Sequence, residues 1–169
     1  KIDELVNAMP KLLLKYPKAN LQIIGEGPES LKLSKIINEK KLDESVELIG
    51  KQDKQQISLR LSSADIYVSA SRFETFALPS LEAMASGLPV VLSEHPAHRE
   101  LIERSSAGKI FPYGNASELC MKIEEVFENK EDFSIKAKNF AMNNDWDYVT
   151  KQIVEVYQEV FDDYNVRCD

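Results

Sequence analysis

Short apolar runs of about four residues alternate along this chain with longer segments whose apolar positions fall at helical spacing. This alternation constrains the fold more than any other feature. Leu21–Ile24, Val46–Ile49, Ile66–Ser69 and Pro89–Leu92 read as strands, the first two ending at Gly25 and Gly50. Helices are predicted after them, over about Ser30–Lys40, Gln55–Ser62, Pro79–Ala85 and Ala97–Glu103. A stripe of Ile2, Leu5, Val6, Met9, Leu12, Leu13 and Tyr16 predicts a helix before the first strand, kinked or restarted near Pro10. A short Ile110-Phe111 strand and three helices complete the chain, over about Ala116–Glu128, Phe133–Met142 and Tyr148–Tyr164. Strands joined by helices of about ten residues pair in parallel through right-handed crossovers. The expected fold class is α/β, a doubly wound, mainly parallel sheet with helices on both faces. Residues 1–169 form one domain, with residues from about 146 to 164 as a trailing helix.

In such sheets ligands bind beyond the C-terminal strand ends. That rule points to Gly25, Gly50, the Ser71–Pro79 loop and the turn after Leu92. The loop has no period, and Pro79 suits the first position of a helix, where its missing N–H is harmless. Gly87 suits the end of that helix. The helix start offers free N–H groups and a positive dipole end to an anion. Glu74 lies before it and Glu82 in its first turns, so both carboxylates can face one ligand. A ligand with a diphosphate and hydroxylated ends fits: amides for the phosphates, carboxylates for the hydroxyls.

Composition narrows the partners. A net charge of −7 over 169 residues, with cations scattered among acids as at Lys35, Glu39, Lys40, Lys41 and Asp43, disfavours nucleic acid. Cys120 falls in the apolar stripe of a helix and Cys168 is next to the last residue. Neither suggests a disulfide framework or a zinc site, so a reducing cytosol is expected. The two histidines, His95 and His98, have no ligand-spaced partner and read as loop and helix-start residues; no metal site is expected. No run approaches the roughly 18 apolar residues of a membrane span. The chain opens at Lys1 rather than Met, which points to a cut from something longer.

Taken singly, Glu82 reads as a solvated helix carboxylate and Gly25, Gly27 and Gly50 as turn glycines. Trp146 reads as a packing anchor, and Tyr148, Val156, Tyr157 and Val160 as core stripe. Joined with their flanks the carboxylates say more. Glu74 and Glu82 are separated by seven residues, around Phe76-Ala77-Leu78-Pro79 and before Glu82-Ala83-Met84-Ala85-x-Gly87-x-Pro89-Val90-Val91. This resembles the signature of the family-4 retaining glycosyltransferases. Ile24-Gly25-Glu26-Gly27-Pro28, Val46 to Gly50, Glu100-Leu101-Ile102 with Gly108, and Asp145-Trp146 agree with it, so the likeness covers nearly the whole chain.

The resemblance implies the Rossmann-like C-terminal half of a two-domain GT-B fold, binding a nucleoside-diphosphate sugar without a metal or other cofactor. By position, Glu74 would hold sugar hydroxyls and face the reacting anomeric carbon. The backbone of Phe76, Ala77 and Leu78 would contact the sugar and diphosphate. Glu82 would bind the ribose, Gly50 and Lys51 would lie near the base, and Gly25 would line the phosphate side. Ala77 stands where glycine is common, and its methyl is expected to tighten the sugar site. The family's diphosphate-binding Arg and Lys, the strand before them and the acceptor-binding domain are expected upstream of Lys1. Any membrane contact is expected through that domain. The rival readings are a glycoside hydrolase using Glu74 and Glu82, a non-catalytic subunit keeping the sugar-nucleotide fold, and a sugar-nucleotide epimerase.

Overall fold

The computed structural model describes residues 1–166; Cys168 lies outside them. The chain begins with α1 (Ile2–Lys15), β1 (Leu21–Ile24), α2 (Ser30–Glu39), β2 (Val46–Gly50) and α3 (Lys54–Ser63). There follow β3 (Tyr67–Ser69), α4 (Leu78–Ala85), β4 (Val90–Ser93), α5 (Pro96–Ser105) and β5 (Gly108–Phe111). Three helices close it: α6 (Ala116–Glu128), α7 (Lys130–Met142) and α8 (Trp146–Val166). Every strand pairing in these ladders is parallel, as the crossover helices require.

The strands form two ladders rather than one continuous sheet: β1 with β2, and β3-β4-β5 in that order. β1 and β3 do not pair, yet one core spans both ladders. Ile23 and Val46 share it with Ala70, Val91 and Phe111 and with Leu5, Val6, Ala8 and Met9 of α1. The second core takes Val90 and Leu92 together with Ala83, Met84, Leu101 and Ala137. β4 is therefore the wall between the two. Its side chains alternate in direction, Val91 to one core and Val90 and Leu92 to the other, all wholly buried. That is why its sequence is a continuous apolar run.

Two glycines set the geometry beside this wall. A Cβ on Gly108 would come within 1.8 Å of the Val90 carbonyl oxygen, so β5 can lie against β4 only without one. Gly87 has φ +84° and closes α4. Its N–H donates to Met84 O (2.9 Å) and the Leu88 N–H to Ala83 O (3.0 Å), the paired closure of a left-handed helix cap.

Three expectations are corrected. α1 runs unbroken through Pro10, which falls on the solvent face while Val6, Met9 and Leu12 are held in the core. Burial of this stripe outweighs the backbone bond that Pro10 cannot make. Trp146 is 76% exposed and anchors nothing. Tyr148, Val156, Tyr157 and Val160 of α8 are likewise exposed, not core. The helical stripe on α8 is real, but the other described elements do not cover it.

Candidate functional site

The turn from β3 into α4 is built by its own polar groups. The Ser71 hydroxyl donates to Phe73 O (2.8 Å), and Glu74 then turns back on the chain. Its Oε1 accepts the N–H groups of Thr75 and Ala77, both at 3.0 Å. Ala77 precedes the helix with φ +55° and ψ +36° and offers no side-chain cap, so the Glu74 carboxylate serves as one. Pro79 occupies the second helical position rather than the first. Burial acts against ionisation of Glu74, but the N–H groups of Ala77, Thr75 and Phe76 and the nearby His98 outweigh it. The carboxyl is held below its ordinary range and is ionised at neutral pH. Phe76 and Leu78 are exposed at the rim, and Glu82 is exposed one turn into α4.

Burial raises the Tyr67 phenol above its ordinary value, and the charges of Glu74 and Glu82 push it the same way. Ala77 departs from expectation: its methyl is buried in the core with Met84 and Leu88 rather than lining a sugar site. The commonness of glycine at that position follows instead from the left-handed backbone.

The ends of β1 and β2 make the second cluster. The Gly25 N–H donates to Gly50 O (2.9 Å), and the Lys51 N–H reaches Glu26 Oε1 at 3.4 Å. Gly25, Gly50 and Lys51 are thus brought together, on the other ladder from Glu74 and Glu82. Between the start of α1, the start of α2 and the Glu74 loop lies an open cavity of about 430 Å³. Asp3, Glu29, Lys32, Ser71, Arg72 and Phe73 are among its walls, so it is lined by neighbours of the expected residues rather than by those residues.

Several residues that hold this site were not singled out by sequence. Glu4 accepts from the Arg72 guanidinium and from the Gly114 N–H, both at 2.9 Å, which ties α1 to the Glu74 loop and to the turn before α6. Arg72 also stacks over the Tyr113 ring, 4.9 Å from its centroid. His98, expected at a helix start, lies in the first turn of α5 and is wholly buried against Ser93. The signal was present: His98, Leu101 and Ser105 recur at helical spacing and form the buried face of α5. His95 behaves as expected, its Nδ1 accepting from the Ala97 N–H at 3.3 Å. Among the described residues no three His, Cys, Asp or Glu side chains gather as a metal site, and no helix is long and apolar enough to cross a membrane.

Parallel α/β ladders flanked by helices, with carboxylates and glycine turns at the C-terminal strand ends, define a Rossmann-like half of the GT-B glycosyltransferase architecture. The chain belongs to the family described as glycosyl transferases group 1, which it matches over residues 1–144. It is 28% identical over 138 residues to the alpha-monoglucosyldiacylglycerol synthase of Acholeplasma laidlawii, covering 82% of this chain and 34% of that protein. It is 28% identical over 160 residues to the phosphatidyl-myo-inositol mannosyltransferase of Mycobacterium leprae, covering 92% of this chain and 42% of the other. The chain therefore spans less than half the length of these curated relatives. A mutant TarM of S. aureus, solved in complex with UDP, fondaparinux and alpha-GlcNAc-glycerol, superposes with a TM-score of 0.82 at 27% identity. That match covers 95% of this chain and 32% of the TarM chain.

Proposed function

We propose that this chain is the donor-binding half of a retaining glycosyltransferase that transfers a sugar from a nucleoside-diphosphate sugar without a metal. The observation that carries the reading is the Glu74 turn. The Thr75 and Ala77 N–H groups hold the Glu74 carboxylate in place at 3.0 Å. The same bonds keep Glu74 ionised, which suits a carboxylate facing positive charge on a sugar ring. In this reading Glu74 faces the anomeric carbon, and the backbone of Phe76, Ala77 and Leu78 contacts the sugar and diphosphate. Glu82 takes the ribose hydroxyls. Gly25 lines the phosphate side, and Gly50 and Lys51 lie by the base.

The ladders β1-β2 and β3-β4-β5 share a core without pairing. This supports a further part of the proposal: a strand supplied from outside the described residues lies between β1 and β3. An acceptor-binding domain of the same cytoplasmic protein completes the enzyme. The UDP held by TarM supports UDP as the first probe.

The test is titration calorimetry of UDP into the full-length protein. Glu82→Ala is expected to weaken binding without unfolding the domain. Losing hydrogen bonds to a charged group costs about 1.5–3 kcal/mol, or one to two decades of affinity. Unchanged affinity would count against the ribose role.

A further inference from the structure

Behind the Glu74 loop lies a buried histidine to which none of these roles applies. His98 Nδ1 is 3.1 Å from the Ser93 carbonyl oxygen and 3.1 Å from Ser93 Oγ. A carbonyl oxygen only accepts, so Nδ1 carries the hydrogen. Ser93 Oγ is in turn 2.6 Å from the Ser71 carbonyl oxygen, another pure acceptor, so the serine hydroxyl donates there and turns a lone pair toward the ring. The direction of the whole relay is thereby fixed: His98 Nδ1–H to Ser93, then Ser93 O–H to Ser71.

Ser71 is three residues before Glu74 and two past the end of β3, at the start of the loop that carries the carboxylate. The relay therefore ties α5 and the end of β4 to the point where the chain leaves β3 for the carboxylate. The other ring nitrogen, Nε2, is buried and has no hydrogen-bond partner among the described residues. With Nδ1 protonated, a neutral ring has only a lone pair at Nε2, whereas a charged ring would bury an unpaired N–H⁺. Burial accordingly holds His98 below its ordinary value, against the opposing pull of the Ser93 carbonyl and the Glu74 charge. An apolar side chain would fill this core position without an orphaned nitrogen, and what the imidazole adds is the directed bond to Ser93.

We propose that His98 is a positioning residue for Glu74, acting through Ser93 to fix the Ser71 carbonyl and hence the path of the loop. The proposal rests on the glycosyltransferase reading of Glu74. His98 does not touch the donor in this role.

The test uses the full-length protein and follows nucleoside-diphosphate release from UDP-glucose, UDP-N-acetylglucosamine and GDP-mannose, taking the donor that is turned over. An asparagine amide reproduces the Nδ1 donor, whereas a glutamine amide reaches the Nε2 position. His98→Gln and Ser93→Ala are each expected to lower kcat about tenfold, with the donor KM within about twofold, the order for one lost internal hydrogen bond felt in the transition state. His98→Asn is expected to restore most of the turnover lost in His98→Gln. Selective 15N-histidine labelling, assigned by loss of the signal in the variant, should find His98 as the neutral Nδ1–H form at pH 7.

Recovery in Gln but not in Asn would mean that the ring acts through Nε2 and would overturn the proposal. So would a lowered melting temperature with kcat unchanged, or a protonated Nε2 at pH 7. If His98→Gln does not fold, Ser93→Ala reads the same kcat-against-KM split. A Glu74→Gln control separates the two levels: undiminished kcat there sinks the role of Glu74 itself, whereas reduced kcat there with a flat His98 series sinks only the relay.

Discussion

At Ala77 the backbone sits at φ +55°, a left-handed conformation that costs a residue with a Cβ about 1–2 kcal/mol. The strain is placed where the chain must reverse out of the loop into α4, and the two N–H bonds to Glu74 and the buried methyl offset it. Glu74 and Glu82 were legible because their spacing and flanks form a pattern. The strain at Ala77 was legible only as a departure from it. The burial of His98 was legible only in its helical spacing with Leu101 and Ser105, a signal that its polar residue type obscures.

These residues predict an acid response with a definite sign. His98 is held below its ordinary 6.5, so as pH falls through 6.5 the unfolded chain takes up a proton that the folded one refuses. Stability is then lost down to the folded value. Glu74 is held below 4.5; its contribution is complete above 4.5 and is lost as pH falls through its folded value. Glu125, lowered by Lys109 and Lys122, adds to that second window. Urea unfolding followed against pH should show an upper loss that vanishes in His98→Asn and a lower one that remains. An upper loss that survives the substitution would assign it elsewhere.

Among the elements, short apolar runs and the helical spacing between them were enough to place all five strands and the helices, with ends displaced by at most three residues. The larger misreadings share a cause. Pattern reports that a face is apolar, not which partner buries it, so α8 read as core and stands exposed. A local breaker such as Pro10 reports a lost bond, not the packing that overrides it. Contact between elements is likewise invisible to pattern, and Gly108 is the sharpest case. With Val90 O 1.8 Å from where a Cβ would stand, Gly108→Ala must part β4 from β5, the wall between the two cores. Overpacking of this kind is expected to cost about 3 kcal/mol or more, seen as a lowered thermal midpoint. Gly114→Ala is the companion: a Cβ there meets nothing within 4 Å, so only its φ of +70° resists, and the loss should be smaller.

For the molecule as a whole, three features lead to one expectation. β1 and β3 each have one unpaired edge while sharing a core, and unpaired edges recruit other strands. α8 exposes Ile153, Val156, Tyr157, Val160, Phe161 and Tyr164, an apolar stripe that water disfavours. The cavity between α1, α2 and the Glu74 loop is open, and its charged lining is largely paired internally, as in Lys32 with Glu29 at 2.8 Å. In the proposed reading another domain fixes the acceptor against the anomeric carbon, and without that positioning the rate advantage of a bound pair is lost. The 169-residue chain expressed alone is therefore expected to self-associate and to transfer no sugar. Sedimentation velocity and a radiolabelled transfer assay with a UDP-sugar check the two halves of this expectation separately. A monodisperse monomer would count against strand and helix surfaces that need partners. Robust transfer by the isolated chain to any acceptor would overturn the reading of it as the donor half of a larger enzyme.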